Sequence, residues 1–214
     1  MRTSCNIHPL IAVAVVALIA SGCSQSKPTA GNPQPVLAST STAPQLVPAK
    51  TALWPIYKSA VQWSPDAQVM RISQKDLPGF TNQAGKAALW EIAVASPSKR
   101  QYRVYTYAIA NVLPDFHKGA TAGRSQPWAG TTREATPIDV TVFNTDSDAA
   151  YQLSAGDAAT WLANNKDKPL SSLELGSNYD LKSPVWYVSW GNKKAGYVAL
   201  VNATSGSVYK SKKK

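Results

Sequence analysis

The sequence predicts an α+β fold built from two α-β-β-β pseudo-repeats with antiparallel sheets. Two segments with helical periodicity are each followed by runs in which apolar and polar residues alternate, the pattern of half-buried strands. The main hairpins of the two halves also correspond, because the spacing from Trp90 to Tyr102 differs by one residue from the spacing from Trp186 to Tyr197. The two units could share one continuous sheet, which would bury their apolar faces better than either unit alone.

The N-terminus has the three-part layout of a secretory signal. Arg2 supplies the basic region, the apolar run extends from Leu10 to Ala20, and small residues lead to Cys23. An apolar run of about eleven residues is too short for a membrane-spanning helix, which needs about twenty. We therefore expect residues 1–22 to be a signal peptide that is cleaved off.

The residues around the cleavage site resemble the lipobox of bacterial lipoproteins. Ser21, Gly22 and Cys23 match it, whereas Ala20 stands where leucine is most frequent. The resemblance implies cleavage after Gly22, diacylation of the Cys23 thiol and acylation of the new amine. Ser24 is not acidic, which in this family permits transfer to the outer membrane. The alternative is ordinary secretion, with Cys23 left as a free thiol.

The cysteine count and the following segment agree with an anchored, exported chain. Cys5 and Cys23 are its two cysteines, and loss of Cys5 with the signal leaves no partner for an internal disulfide. Residues 24–50 are rich in Pro, Ser, Thr and Ala, so residues 23–50 are predicted to be a lipidated cysteine with a disordered linker. As a flexible coil, this linker would hold the folded part on the order of 30 Å from the membrane.

Residues 51–145 are predicted to form the first unit and its connecting loop. "TALWPIYKSAVQ" has helical spacing, with Pro55 in the first turn, and "AQVMRIS" alternates as a strand does. "ALWEIAVA" and "YRVYTYAIA" are expected to pair as a hairpin through "SPSKRQ". Residues 117–134 then form the longest segment without predicted structure, and "TPIDVTVFN" is predicted to be a further strand.

Residues 146–214 are predicted to form the second unit, which ends in a basic tail. "DSDAAYQLSAGDAATWLANN" is an amphipathic helix with Asp146 or Ser147 as its N-cap, weakened by Gly156. "SSLELG", "PVWYVSW" and "YVALVNA" follow as strands, with "GNKKAG" closing the last pair.

The segment "VWYVSWGNKKAGYVALVNATSGSVYK" is similar to the C-terminal half of a PepSY-type domain. It has an aromatic strand, a turn, an apolar strand and a glycine-containing end, although Asn202 and Ser207 replace the acidic residues usual there. The similarity covers about Asp146 to Lys210 and, faintly, Thr51 to Ile109. It implies a small secreted or membrane-attached module, often without catalytic residues. Some relatives are suggested to restrain peptidases or bind peptides and envelope components.

Catalytic chemistry is sparse in the sequence. After loss of the signal, His117 is the single histidine, which leaves too few ligands for the usual zinc site. No nucleophile elbow accompanies it, and the acidic run at 146–148 lacks the spacing of a calcium loop. We therefore expect no enzymatic activity, no metal and no cofactor. A cleft that joined His117 to Asp115 or Asp139 would favour a hydrolase instead.

Four residues are candidate ligand contacts. Arg124 and Trp128 lie in the long segment 117–134 and are residue types that dominate binding hot spots. Trp186 and Trp190 fall on the same face of one strand and could stack on a ligand. The alternatives are a plain connector for the first pair and packing in the core for the second.

Charge suggests the surroundings in which the protein acts. The net charge of +10 falls to about +9 without Arg2, and part of it lies in the tail "YKSKKK". An exported protein does not normally meet chromosomal DNA, so anionic lipids or wall polymers are better partners for this charge than nucleic acid.

The function predicted from these observations is that of a non-enzymatic lipoprotein, anchored through Cys23 to the periplasmic face of the outer membrane. It would bind or modulate a protein or peptide partner through its PepSY-like module. The alternatives are a structural protein that holds an anionic lipid or polymer and, less favoured, an unrecognised hydrolase.

Overall fold

A computed structural model of the chain describes residues 43–133, 135–192 and 194–209. The predicted signal peptide 1–22, the cleavage residue Gly22, the lipidation residue Cys23 and most of the predicted linker lie outside these residues. The described part contains three helices and nine strands: α1 (Ala49–Trp63), β1 (Gln68–Lys75), β2 (Leu89–Ser96), β3 (Gln101–Ala108), β4 (Gly119–Ala122), β5 (Gln126–Pro127), α2 (Ser147–Asp157), α3 (Ala159–Asn164), β6 (Leu170–Asn178), β7 (Ser183–Gly191), β8 (Gly196–Asn202) and β9 (Val208–Tyr209).

All nine strands belong to one sheet, which confirms the predicted α+β class. The strand order is β4-β3-β2-β1-β6-β7-β8-β9, with β5 also paired to β3. Each pair of named strands is antiparallel. The first strands of the two halves, β1 and β6, are hydrogen-bonded neighbours in the middle of the sheet. The two halves therefore form one continuous sheet.

Helix α1 packs its apolar stripe against the sheet. Its fully buried residues recur at the spacing that places them on one side of a helix: Ala49, Ala52, Leu53, Ile56 and Ala60. The helix begins two residues before the predicted start, and Pro55 consequently lies in its interior rather than in its first turn. The ordered region also starts earlier than predicted, since Val47 already exchanges two backbone hydrogen bonds with Ala87.

The second predicted helix is divided into α2 and α3. Asp146 is the N-cap, as predicted, and its side chain accepts a hydrogen bond from the Ser147 backbone N–H. The break falls at Ala158, directly after the Gly156–Asp157 pair. A glycine in the last turn of a helix lowers the cost of ending it, because glycine is a poor helix former.

All three helices cover the same face of the sheet. A single main core joins helix residues such as Leu53, Ile56 and Ala150 to strand residues such as Trp90 and Trp186. A smaller apolar cluster around Leu77 and Ile109 lies at one end of the first half. The apolar side chains of both halves therefore share one interior.

Two buried tryptophans make the same hydrogen bond in the two halves. Trp90 on β2 donates its indole N–H to the carbonyl of Val47, 3.0 Å away and two residues before α1. Trp186 on β7 donates to the carbonyl of Thr145, 2.9 Å away and two residues before α2. Both rings are fully buried, so each N–H needs such an acceptor.

The connection between the halves differs from the prediction in two places. The segment 117–134, expected to lack structure, contains β4 and β5, both of which pair with the outer edge of β3. The segment "TPIDVTVFN", expected to be a strand, runs as turns and irregular backbone. It contributes Ile138 and Phe143 to the core, so its apolar residues pack without entering the strand ladder.

We expect Trp186→Phe to destabilise the protein more than Trp190→Phe does. Both changes remove the same ring volume from the core, but only the first leaves the Thr145 carbonyl without its donor, since Trp190 donates no side-chain hydrogen bond to the described residues. Loss of a buried partner should cost about 1–3 kcal/mol beyond the control. Urea unfolding of the two variants measures the difference, and equal losses would contradict a role for the indole N–H.

Candidate binding surface

The two tryptophans predicted to form a stacking platform lie in the core. Trp186 is fully buried and packs edge-on against Phe143, with ring centroids 5.7 Å apart. Trp190 is 3 % exposed and contacts the rings of Tyr151 and Tyr197. Their side chains do point to one face of β7, as predicted, but that face is covered by α2 and α3. Neither ring can stack on a ligand from solvent.

Arg124 and Trp128 lie at the outer edge of the first half. Arg124 is exposed between β4 and β5, while Trp128 is partly buried and its backbone N–H donates to the carbonyl of Arg100, 2.9 Å away. Gly123, next to Arg124, passes close to β3, where a Cβ would come within 2.5 Å of the Val104 carbonyl oxygen. The segment thus caps a sheet edge, and Pro127 on it limits further strand pairing.

The three residues considered for hydrolysis are all exposed: Asp115, His117 and Asp139. His117 lines neither the cavity beside α2 nor the cavity between β1 and β6. The Asp139 carboxylate accepts hydrogen bonds from the hydroxyl and backbone N–H of Thr141, which hold its pKa below the usual value. Within residues 43–133, 135–192 and 194–209, no group of three or more His, Cys, Asp or Glu side chains is placed to hold a metal ion.

The face of the sheet opposite the helices, here called the open face, carries a mixed set of side chains. The strand registers place every second residue there, since side chains alternate between the two faces. Its principal residues are Arg71, Ser73, Glu91, Tyr102, Val104, Glu174, Tyr187, Val198, Leu200 and Tyr209.

The middle of the open face holds a cluster of charges, formed where β1 meets β6. Arg71 lies 3.9 Å from Glu91 on one side and 3.9 Å from Glu174 on the other. Lys75 lies 3.7 Å from Glu91, and the buried Ser73 hydroxyl donates to Glu174 at 3.0 Å. The charged side chains remain between 28 % and 48 % exposed, so they are accessible to a partner.

Aromatic and aliphatic side chains flank this charge cluster. Tyr187 lies over Gly176, where a Cβ would stand 3.7 Å from its ring, and its hydroxyl accepts from the Asn178 amide at 3.0 Å. Tyr209 accepts from the Asn202 amide at 2.9 Å, which fixes its ring at the end of the sheet. Val198 is 40 % exposed beside them. These contacts hold the aromatic rings in place on the surface.

One cavity lies beside the start of α2, and another lies between β1 and β6. A cavity of about 510 Å³ lies beside the first turn of α2 and is lined by Lys86, Asp148 and Gln152, among others. A smaller cavity of about 280 Å³ lies between β1 and β6, lined by residues 73–76 and 170–174. The second cavity adjoins the charge cluster, since Ser73, Lys75 and Glu174 belong to both.

Two ionisable groups on the helix-covered side have shifted pKa values because of packing. Burial raises the pKa of Asp146, against the lowering effect of the backbone N–H groups of Ser147 and Lys50 that its carboxylate accepts. Burial and the adjacent Asp157 carboxylate raise the pKa of Tyr197 to about 12. Both groups join helices to neighbouring elements and lie away from the open face.

Sequence reasoning did not single out the open face. The signal was present, because Arg71 and Ser73 alternate with Ile72, and Tyr187 alternates with Trp186 and Val188. The alternation predicts that such residues share a side of their own strand. It does not predict that residues more than a hundred positions apart, such as Ser73 and Glu174, will meet, because that depends on which strands pair.

Comparison with known proteins gives one distant likeness. No family model matches the chain, and no curated protein does. Among solved structures, a protein of Clostridium difficile 630 described as a "putative lipoprotein" superposes with a TM-score of 0.47 at 10 % identity, over 78 % of this chain and 93 % of the other. At this level neither a shared fold nor a shared function follows. No helix within the described residues has both the length and the apolar character needed to cross a membrane.

We expect Arg71→Gln to change the free energy of unfolding by less than about 1 kcal/mol, because exposed ion pairs contribute little to stability. Arg71 is 48 % exposed and stands 3.9 Å from each carboxylate. Urea unfolding at low and moderate salt measures the effect. A loss above about 2 kcal/mol would mean that the charge cluster holds the sheet together.

Proposed function

We propose that the protein is an exported lipoprotein of the bacterial envelope, anchored through acylated Cys23, and that its folded part acts by binding a protein partner on the open face. It performs no catalysis in this proposal. The anchor rests on the lipobox resemblance at Ser21, Gly22 and Cys23. The binding role rests on the placement of all three helices on one face of a nine-stranded sheet.

The composition of the uncovered face is the observation that carries the binding role. An antiparallel sheet with one face in water normally alternates apolar inward and polar outward residues. Here Val104, Tyr187, Val198 and Leu200 occupy outward positions, and all four remain at least partly exposed. Apolar groups around a charged centre resemble the composition of protein interfaces, in which aromatic and arginine side chains are enriched.

A PepSY-like origin of the two halves is part of the proposal. The helix followed by three long strands occurs twice in the element order, and the Trp90 and Trp186 hydrogen bonds fall at corresponding places. Duplication of a small α-β-β-β module accounts for both features. Within such a module, a partner-binding role without catalytic residues is what the resemblance implies.

The anchor is tested by the intact mass of the protein made in a lipoprotein-processing bacterium. Wild type should carry acyl chains and partition into detergent, because several chains together hold a protein at a membrane where one does not. Cys23→Ala should be unacylated and remain in the aqueous phase. Cys5→Ala is the matched control, since Cys5 would leave with the signal, and it should behave as wild type. An unacylated, aqueous wild type would contradict the anchor.

The binding role is tested by photo-crosslinking in the organism that makes the protein. A benzophenone amino acid replaces Tyr187 on the open face or, as the control, Trp54, which is 50 % exposed on α1. We expect one protein adduct from position 187 and none from position 54. The purified partner should then bind wild type and lose about tenfold or more in affinity for Leu200→Glu, a change of about 1.4 kcal/mol.

Other results of this experiment would overturn the binding role. No adduct at position 187, or the same adducts at both positions, would remove the open face as the binding surface. A third outcome is that no protein adduct forms and the protein binds anionic vesicles with an affinity that falls steeply as salt is added. This would favour the alternative of an anionic lipid or polymer, because salt screens interactions between exposed charges.

A further inference from the structure

The two central strands share a short ladder and then separate on both sides of it. β1 and β6 pair through Arg71–Gly176, Ile72–Leu175 and Ser73–Glu174. Both strands continue beyond these three pairs, because β1 runs to Lys75 and β6 begins at Leu170. The sheet therefore has a split at each end of its central ladder.

One split is filled by a segment of the chain itself, residues 136–138. At the end formed by Val69 and Ser177, the Ile138 backbone N–H donates to the Val69 carbonyl at 2.7 Å. The Thr136 backbone N–H donates to the Ser177 hydroxyl at 3.2 Å, and that hydroxyl donates to the Thr136 carbonyl at 2.9 Å. The connecting segment thus bonds to both strands where they no longer bond to each other.

The other split is the cavity of about 280 Å³ between residues 73–76 and 170–174, here called the central cleft. No segment within the described residues runs between these two stretches as the connecting segment does at the opposite end. Its β1 side is fixed by Asn82, whose amide donates to the Lys75 carbonyl at 2.9 Å and to the Asp76 carboxylate at 3.1 Å. The cleft therefore has ordered walls.

The lining of the central cleft is polar. Hydroxyl-bearing and charged residues line it: Ser73, Ser171, Ser172, Lys75, Asp76 and Glu174. The lining has an excess of negative charge, because Asp76 and Glu174 carry two negative charges and Lys75 carries one positive charge. The whole chain, by contrast, is basic.

We propose that the central cleft binds a short extended peptide that carries a basic side chain. The chain's own segment 136–138 shows that a backbone can hydrogen-bond to both strands where they part at the opposite end of this ladder. Strand edges recognise extended peptides through backbone hydrogen bonds. The cleft volume of about 280 Å³ is near the lower end of the range for ligand cavities, so it suits a few peptide residues better than a larger ligand. The inference goes beyond the proposed function, since it requires neither the anchor nor a partner on the open face.

The test selects peptides on the purified full chain from a random octapeptide library and measures their affinity by fluorescence polarisation. Enriched sequences should contain Lys or Arg. Ser172→Trp places a large side chain in the cleft lining and should weaken binding about tenfold or more. Thr121→Trp is the control, because Thr121 is exposed on β4, three strands away from β1, and its affinity should stay within about twofold of wild type.

Backbone amide NMR on wild type locates the peptide without relying on either variant to fold. Binding should shift the amide signals of residues 74–76 and 170–173 and leave those of 136–138 unchanged. No enrichment over the bare support, equal affinity for Ser172→Trp when it is folded, or shifts confined to other residues would each overturn the proposal. Enrichment of acidic peptides would overturn its charge preference.

Discussion

Two buried indole N–H groups each need a hydrogen-bond acceptor. The arrangement of the helices on the sheet depends on this requirement. Trp90 and Trp186 lie on the second strand of each half, fully buried beneath the helices. Each finds its acceptor in the carbonyl two residues before the helix of its own half. Because an unpaired buried donor costs about 1–3 kcal/mol, each bond holds the start of a helix at one place on the sheet.

The starts of α1 and α2 are joined to each other as well as to the sheet. Pro48, the N-cap of α1, has no side chain that can accept a hydrogen bond. The first backbone N–H groups of α1 instead donate to side chains of the other half. The Ala49 N–H donates to the Ser147 hydroxyl at 2.9 Å, and the Lys50 N–H donates to the Asp146 carboxylate at 3.1 Å. Asp146 and Ser147 therefore accept hydrogen bonds at the N-termini of both α1 and α2. These bonds connect the helices of the two halves, and the pairing of β1 with β6 connects their strands.

This construction separates the residues that stabilise the fold from those on the open face, where a partner is proposed to bind. The large apolar residues that determine folding lie on the helix-covered face, where substitution of a residue such as Leu175 would leave a cavity. The open face and the central cleft contribute exposed charges and partly exposed rings, which add little to stability. Residues on that side can therefore change with a partner while the fold persists. This freedom is compatible with the proposed binding role.

The sequence by itself determined the local elements and the compartment signal. Periodicity was sufficient for α1, for the strands on either side of each hairpin, and for Asp146 as a helix cap, because these depend on neighbours within a few residues. The lipobox resemblance at Cys23 is likewise a local pattern, and acylation there stays a prediction. The α+β class followed from the order of these elements.

Tertiary structure decided what local patterns leave open. Trp186 and Trp190 share a strand face, but only the docking of α2 and α3 makes that face the core. "TPIDVTVFN" has the alternation of a strand, yet it bonds to Val69 and Ser177 across a split and joins no ladder. The central cleft exists because β1 and β6 pair over three residues and then diverge. Pairing between residues a hundred positions apart reflects the packing energy of the whole sheet, which no short window of sequence contains.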